Sequence, residues 1–222
     1  DGTNGYELWK SDGTSSGTVM VKDIYSGLSN SNLAELTAVG NTLYFRADDG
    51  VHGQELWKSD GTASGTVMVK DIHSGLNNGQ PSDLTAIGST LYFRATDGTN
   101  GAELWKSDGT ASGTVMVKDI YSGGSTSSSS PNRLTAVGNT LYFRAGDGIN
   151  GQELWKSDGT ASGTVMVKDI NPTSNRGGSH PDYLTAIGST LYFRAGDGTN
   201  GDELWKSDGT ASGTVMVKDI NN

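Results

Sequence analysis

Apolar residues in this chain fall in short runs, never in long amphipathic stretches. Between residues 84 and 120 the runs are Leu84–Ile87, Thr90–Ala95, Glu103–Ser107 and Thr114–Ile120, separated by Gly, Ser, Asn and Asp. The runs are rich in β-branched and aromatic residues and bounded by turn formers, which predicts strands. None is long enough for an ordinary helix. Gly88-Ser89 separates the first two runs, with equivalents Gly40-Asn41, Gly138-Asn139 and Gly188-Ser189. Gly followed by Ser or Asn predicts a two-residue hairpin, with Gly supplying the positive φ of a primed turn. The third and fourth runs are joined by the longer loop 108–113. The expected unit is a four-stranded antiparallel meander.

The strand centres read Leu91-Tyr92-Phe93, Leu104-Trp105 and Val115-Met116-Val117. Neighbouring strand residues point to opposite faces, so both faces of each sheet carry bulky apolar groups and need cover. Identical sheets stacked face to face around an axis provide it. The expected fold is therefore all-β, a β-propeller of four-stranded antiparallel blades. A solenoid is the alternative, but a unit near 48 residues suits a blade better than a β-helix coil. Trp9, Trp57, Trp105, Trp155 and Trp205 recur every 48, 48, 50 and 50 residues. One Trp at a fixed place per repeat reads as packing between blades, with an indole N–H that wants a partner.

The eighteen letters ELWKSDGTASGTVMVKDI occupy 55–72, 103–120, 153–170 and 203–220, and 7–24 with Ser15 for Ala. Full four-strand blades are expected at 35–72, 84–120, 134–170 and 184–220. Residues 1–24 supply only a half-blade, the third and fourth strands. The whole of 1–222 reads as a single repeat domain of about five blades, or a window on a longer array. The chain opens on Asp1, mid-repeat, which favours the longer array. The incomplete blade is also a possible point of self-association.

The run L-T-A-V-G-N-T-L-Y-F-R-A, followed by D-G-x-N-G-x-E-L-W-K-S-D-G-T-A-S-G-T-V-M-V-K-D-I, resembles the "ELWxSDGT" repeats of large bacterial surface and secreted proteins. The likeness covers nearly the whole chain. It implies a highly repetitive propeller, outside the cell or on its surface. The layout is also similar to kelch-type blades, except that Arg94-Ala95 stands where kelch has a Gly pair.

Composition narrows the function classes. The net charge of −9 disfavours a nucleic-acid partner. No cysteine is present, which excludes disulfides and thiolate chemistry. No window is apolar enough to insert in a membrane as a helix.

The repeats differ in two places. The segments joining one blade to the next, 25–35, 73–83, 121–133 and 171–183, vary in sequence and length. The loops joining the second and third strands vary at positions 51, 52 and 54 and their equivalents. Alternating strand direction puts both sets on one rim, and loops on a rigid scaffold commonly carry recognition. Candidate ligand-binding residues there are His52, Gln54, Asn100, Tyr121, Asn150, Gln152, Tyr183 and Asn200. The alternative is that unconstrained loops simply drift.

Within the D-G-x-N-G-x-E element, oxygen ligands at i, i+3 and i+6 are a candidate calcium set. The residues are Asp49 and Glu55; Asp97, Asn100 and Glu103; Asp147, Asn150 and Glu153; and Asp197, Asn200 and Glu203. The competing reading is an Asp-Gly turn, a left-handed Asn and a Glu opening a strand. No other cofactor is expected. Catalysis is not expected, because identical blades repeat the same groups and His52, His73 and His180 share no spacing. The function expected is a non-enzymatic extracellular scaffold contacting a protein or a glycan through one rim. The alternative is a multivalent lectin with one weak site per blade, using tyrosines such as Tyr25, Tyr121 and Tyr183.

Overall fold

The computed structural model describes residues 1–172 and 177–220, so positions 173–176 of the variable segment 171–183 lie outside the described residues. All regular structure among the described residues is strand. A two-stranded piece, β1 (Leu8–Lys10) and β2 (Val19–Lys22), comes first. Four meanders follow. They are β3 (Ala34–Val39), β4 (Thr42–Asp48), β5 (Gln54–Ser59) and β6 (Val67–Lys70); then β7 (Ser82–Ile87), β8 (Thr90–Thr96), β9 (Ala102–Ser107) and β10 (Val115–Lys118). The last two are β11 (Asn132–Val137), β12 (Thr140–Gly146), β13 (Gln152–Ser157) and β14 (Val165–Lys168); and β15 (Asp182–Ile187), β16 (Thr190–Gly196), β17 (Asp202–Ser207) and β18 (Val215–Lys218). Each meander is one four-stranded sheet with its strands in chain order.

The first-to-second hairpins have the expected two-residue turns: Ile87 pairs with Thr90 and Val137 with Thr140. Gly88 and Gly138 hold φ near +59° and +58°. The fourth strand is shorter than the sequence predicts, ending at Lys118 and not at Ile120. The Ile120 N–H leaves the ladder and donates to the Glu103 carboxylate at 3.0 Å.

The chain divides into two compact units, Asp1–Gly98 with Ser107–Val115, and Thr99–Lys106 with Met116–Asn222. Within each, successive sheets pack face to face. In the first unit Leu8, Val21 and Ile24 of the two-stranded piece pack on Phe45, Ala47 and Trp57. In the second, Val137, Tyr142, Leu154, Val167 and Ile170 pack on Leu191, Phe193, Ala195 and Trp205. Both faces of the inner sheets are covered, as the doubly apolar strands require: Leu141, Tyr142 and Phe143 are consecutive and all buried. The last sheet departs from that expectation. Along β17 residues alternate exposed and buried, because the face that the next repeat covers elsewhere is open.

Lysines reinforce this stacking. Lys10, Lys58, Lys106 and Lys156 donate to the carbonyls of Gly61, Gly109, Gly159 and Gly209, each at 2.8 Å. Lys22, Lys70, Lys118 and Lys168 donate to the carbonyls of Thr66, Thr114, Thr164 and Thr214 at 2.7–2.8 Å. Each bond joins one repeat to the next. The ammonium groups of Lys22, Lys118 and Lys168 also lie 5.7–6.0 Å from the rings of Trp57, Trp155 and Trp205. The tryptophans are interblade residues, but the buried N–H groups of Trp57, Trp155 and Trp205 have no hydrogen-bond partner. Their ring faces, and not their N–H groups, carry the polar contact.

Candidate functional site: variable loops and strand bulges

The loop receiving those lysines is constant in sequence and closed on itself. Asp108 Oδ1 accepts the N–H and hydroxyl of Thr110 at 2.8 and 2.7 Å, and Thr110 Oγ1 accepts the Gly113 N–H at 2.9 Å. The Asp108 carboxyl is held below the usual carboxylate range, first by the Thr110 hydroxyl. Its groups serve the turn and the next repeat.

The variable loops are joined to one another by the backbone. The Gln80 N–H donates to the Gln54 carbonyl, Ser130 to Ala102, and His180 to Gln152, at 3.0–3.1 Å. The four-to-one segment therefore zips onto the start of the preceding third strand. Glu55, Glu103 and Glu153, fully buried, fasten it from inside. Glu103 accepts the Ile120 N–H at 3.0 Å, the Ser129 N–H at 2.8 Å and the Ser129 hydroxyl at 2.5 Å. Glu153 repeats this with Ile170 and Ser179, and Glu55 with Ile72, His73 and Gly79. Glu203 accepts the Ile220 N–H at 3.2 Å. Burial pushes the Glu55 carboxyl up to about 7 against the opposing pull of three N–H donors, and raises Glu103 and Glu153 in the same way.

The remaining candidate calcium ligands are occupied elsewhere. Asp147 Oδ1 accepts the N–H groups of Ile149 and Asn150 at 2.8 Å, and Oδ2 accepts from Asn150 Nδ2 at 2.7 Å. Asp197 does the same with Thr199 and Asn200. Asp97 and Asn100 are engaged too. In the Asp49 loop His52 replaces Asn, its Nδ1 lying 2.7 Å from Asp49 Oδ2, which raises the imidazole and lies within a set of hydrogen bonds that lowers the carboxyl despite its burial. Among the described residues no three His, Asp or Glu side chains converge on a point that could hold a metal. The left-handed residues of this element are the glycines, Gly98 and Gly101, and not Asn100 as the turn reading expects. The Asn keeps a negative φ because its side chain braces the Asp.

Other rim candidates separate by role. Tyr121 packs its ring on Gly148, where a Cβ would collide with it; Tyr25 does the same on Gly50 and His73 on Gly98. Tyr121 and Gln152 line one small cleft of about 200 Å³ with Ser128, Ser129 and Gly151. The next repeat has its counterpart, about 320 Å³, lined by Asn171, Ser179, His180 and Asp202. Gln54 serves through its backbone, donating to Asn78 Oδ1 at 2.8 Å.

Tyr183 has a different setting, one that sequence reasoning caught only there. The register of the first strand slips by one residue between Ser82 and Thr85, and equally in β3, β11 and β15. The bulged residues Glu35, Asp83, Arg133 and Tyr183 hold φ of 61°, 55°, 59° and 55°. Bulges of this kind normally place Gly there, and other residues are strained by about 1–3 kcal/mol. Asn32, Gln80, Ser130 and His180, three residues earlier, are left-handed as well. The signal was available: each bulged residue closes a variable segment directly ahead of the constant Leu-Thr-Ala.

The bulges carry contacts between repeats. Within the first unit Glu35 Oε2 accepts the Asp83 N–H at 2.9 Å. Within the second, Arg133 Nε lies 2.7 Å from Asp182 Oδ1, and Arg194 is 3.6 Å from Oδ2 of the same carboxylate. The Arg194 guanidinium lies 5.3 Å from the Tyr183 ring, which is 72% exposed. This places an exposed aromatic beside Arg194 in the last repeat, and acids at the bulges of two successive repeats in the first unit.

No family model matches the chain, and no curated protein matches it. Among solved structures, a puromycin hydrolase mutant complexed with PGG matches with a TM-score of 0.58 and 13% identity, over 93% of this chain and 32% of that one. A prolyl endopeptidase gives 0.58 and 13%, over 96% and 30%. TolB from Acinetobacter baumannii gives 0.52 and 10%, over 93% and 47%. The chain thus spans 30–47% of the length of these three proteins. Likeness at this identity concerns fold alone. With the repeated four-stranded blades, it puts the chain in the β-propeller fold class.

Proposed function

We propose that this chain is a non-enzymatic interaction scaffold working outside the cell or at its surface, as a segment of a larger bacterial protein of the ELWxSDGT-repeat kind. One observation carries the reading. Repeats that are nearly identical in their packing residues diverge at the strained bulges Glu35, Asp83, Arg133 and Tyr183. Strained backbone clusters at functional sites, and variable loops on a rigid scaffold commonly carry recognition, which supports this reading. The partner expected is a protein surface, met in the second unit by an exposed tyrosine beside an arginine. Against catalysis stand the separate settings of the histidines: His52 on Asp49, His73 on Gly98, His180 ahead of Pro181.

The test is binding of the immobilised chain to a panel of purified extracellular matrix proteins. Arg133→Ser combined with Tyr183→Ser should abolish any specific signal, whereas Thr110→Ala on the constant loop should leave it. A signal unchanged by the rim substitutions overturns the assignment. The lectin reading draws support from the clefts that recur at Tyr121 and Asn171. A glycan array at high protein loading separates the two, and silence on it removes the lectin.

A further inference from the structure

The junction between β6 and β7 holds an Asn-Gly pair against a buried carboxylate. The Gly79 N–H donates to Glu55 Oε1 at 2.7 Å, and Glu55 is fully buried. Asn78 Oδ1 accepts the Gln54 N–H at 2.8 Å. Asn78 is half-buried between the exposed residues Asn77 and Gln80, so water reaches its side chain. Burial raises the Glu55 carboxyl to about 7, which makes its ionised form a stronger base than a surface carboxylate.

An Asn side-chain amide can be attacked by the backbone nitrogen of the next residue, closing a succinimide ring. Three features promote that attack: an unhindered nitrogen, a base for its proton, and a donor for the charge that develops on the amide oxygen. Gly79 has no Cβ to crowd the nitrogen. Glu55 lies within the range of a general base. The Gln54 N–H stands at the distance required of an oxyanion donor.

Other repeats have only part of this arrangement. In the first, Asn30 Oδ1 accepts the Tyr6 N–H at 2.9 Å and the next N–H donates to Glu7 at 3.1 Å, but that next residue is Ser31, with a Cβ. In the third the same two places are Ser128 and Ser129, so no amide is present. The pairs Asn150-Gly151 and Asn200-Gly201 have the dipeptide in another setting. Their Nδ2 groups donate to Asp147 and Asp197 at 2.7 Å, which holds the nitrogen that must leave. Glu153, two residues beyond Gly151, accepts from Ile170 and Ser179 instead.

We propose that Asn78 is a self-modifying site, at which Glu55 and the Gln54 N–H drive attack of the Gly79 nitrogen on Asn78 Cγ and convert the residue to aspartate and isoaspartate. The Gly79 N–H proton passes to Glu55 as the nitrogen forms its bond to Cγ, and the carbonyl electron pair moves onto Oδ1. Collapse of this intermediate expels Nδ2, which takes the proton from Glu55 and leaves as ammonia. Water then opens the ring at either of its two C–N bonds. Net, one water is consumed and one ammonia released. The product adds a negative charge close to Glu55. In isoaspartate the main chain also runs through the former side chain, which draws the Gly79 N–H away from Glu55. The variable segment 73–83 thereby loses an attachment to β5 irreversibly.

The test is incubation of the folded 222-residue chain, followed by proteolysis and mass mapping of each Asn. Asn78 should convert about tenfold or more faster than Asn150 and Asn200, which share its dipeptide. Glu55→Gln should slow Asn78 by about a hundredfold. Gly79→Ser, which installs the residue found at 31, 129 and 179, should stop it while keeping the N–H bond to Glu55. The wild-type rate should rise as Glu55 ionises near 7 and level above that. If Glu55→Gln fails to fold, this pH profile and Gly79→Ser decide. Conversion no faster at Asn78 than at Asn150 and Asn200 overturns the proposal. So does a rate that Gly79→Ser leaves unchanged, or one that keeps rising in proportion to hydroxide as in an unfolded peptide.

Discussion

At the residue scale the most consequential group is the buried Glu of each repeat. Glu55, Glu103 and Glu153 stand where burial raises the carboxyl while N–H donors oppose the rise. A carboxyl whose folded pKa lies above its unfolded value binds more protons when folded, so its contribution is full below the unfolded pKa and declines as pH rises through the folded one. For Glu55 the window runs from 4.5 to about 7. Across it that one residue removes at most about 3 kcal/mol of stability. Melting temperature should therefore fall between those limits, and Glu55→Gln should flatten the fall; a profile unchanged by the substitution contradicts the account. Asp49, Asp147 and Asp197 act in the opposite sense: their lowered carboxyls stabilise above the unfolded value of 3.8, and that stability is lost on acidification.

Gly148 gives a second prediction at this scale. Its φ is +80°, and a Cβ would strike the Tyr121 ring. Gly148→Ala should lower stability by about 1–3 kcal/mol in denaturant titration. Adding Tyr121→Ala should recover the steric part and leave the backbone part. Neither fact was legible from the letters alone. The motif D-G-I-N-G predicts a left-handed Asn150. The hydrogen bonds from Asn150 to Asp147 decided for Gly151. Glu103 looked like a surface ligand because carboxylates are seldom fully buried. Its burial depends on Ile120 and Ser129, 17 and 26 residues away, closing over it.

At the element scale the meander follows the sequence closely, because each hairpin is local and its turn residues are specific. The bulges do not. Tyr183 closes the variable segment ahead of the strand expected from residue 184, and the slipped register shows that this position is a left-handed bulge although it is not Gly. That strain is measurable. Tyr183→Gly should be more stable than Tyr183→Ala by about 1 kcal/mol, the reverse of the order at an ordinary strand position. Equal stabilities would remove the bulge as a site of strain. The lysine clamps are also a property of elements in pairs. Lys156→Met should lower stability by about 1–2 kcal/mol, since it deletes a charged donor to the Gly209 carbonyl. Lys206→Met, at the same place in the last repeat, should change dilute protein by no more than about 0.5 kcal/mol. Equal losses at the two sites would mean that the Gly209 carbonyl contributes nothing.

At the scale of the whole molecule the repeats are chemically alike but not equivalently placed. Asp braces hold their own loops, and the described residues gather no metal-binding cluster. Calcium added to chelator-treated protein is accordingly expected to leave the melting temperature unmoved, since a ligand bound only by the folded chain must raise it. A rise would restore the oxygen ligands of the D-G-x-N-G-x-E element as a site.

The sequence by itself determined the strands, their two-residue hairpins and the stacking of doubly apolar sheets. These depend on local turn chemistry and on side-chain alternation, both of which are written along the chain. Tertiary structure alone decided which acids are buried, which variable residues are strained, and which of five near-identical faces meets water. Those properties arise where distant segments meet: the same Leu is enclosed at position 154 and open at 204 because only the first has a neighbouring repeat over it.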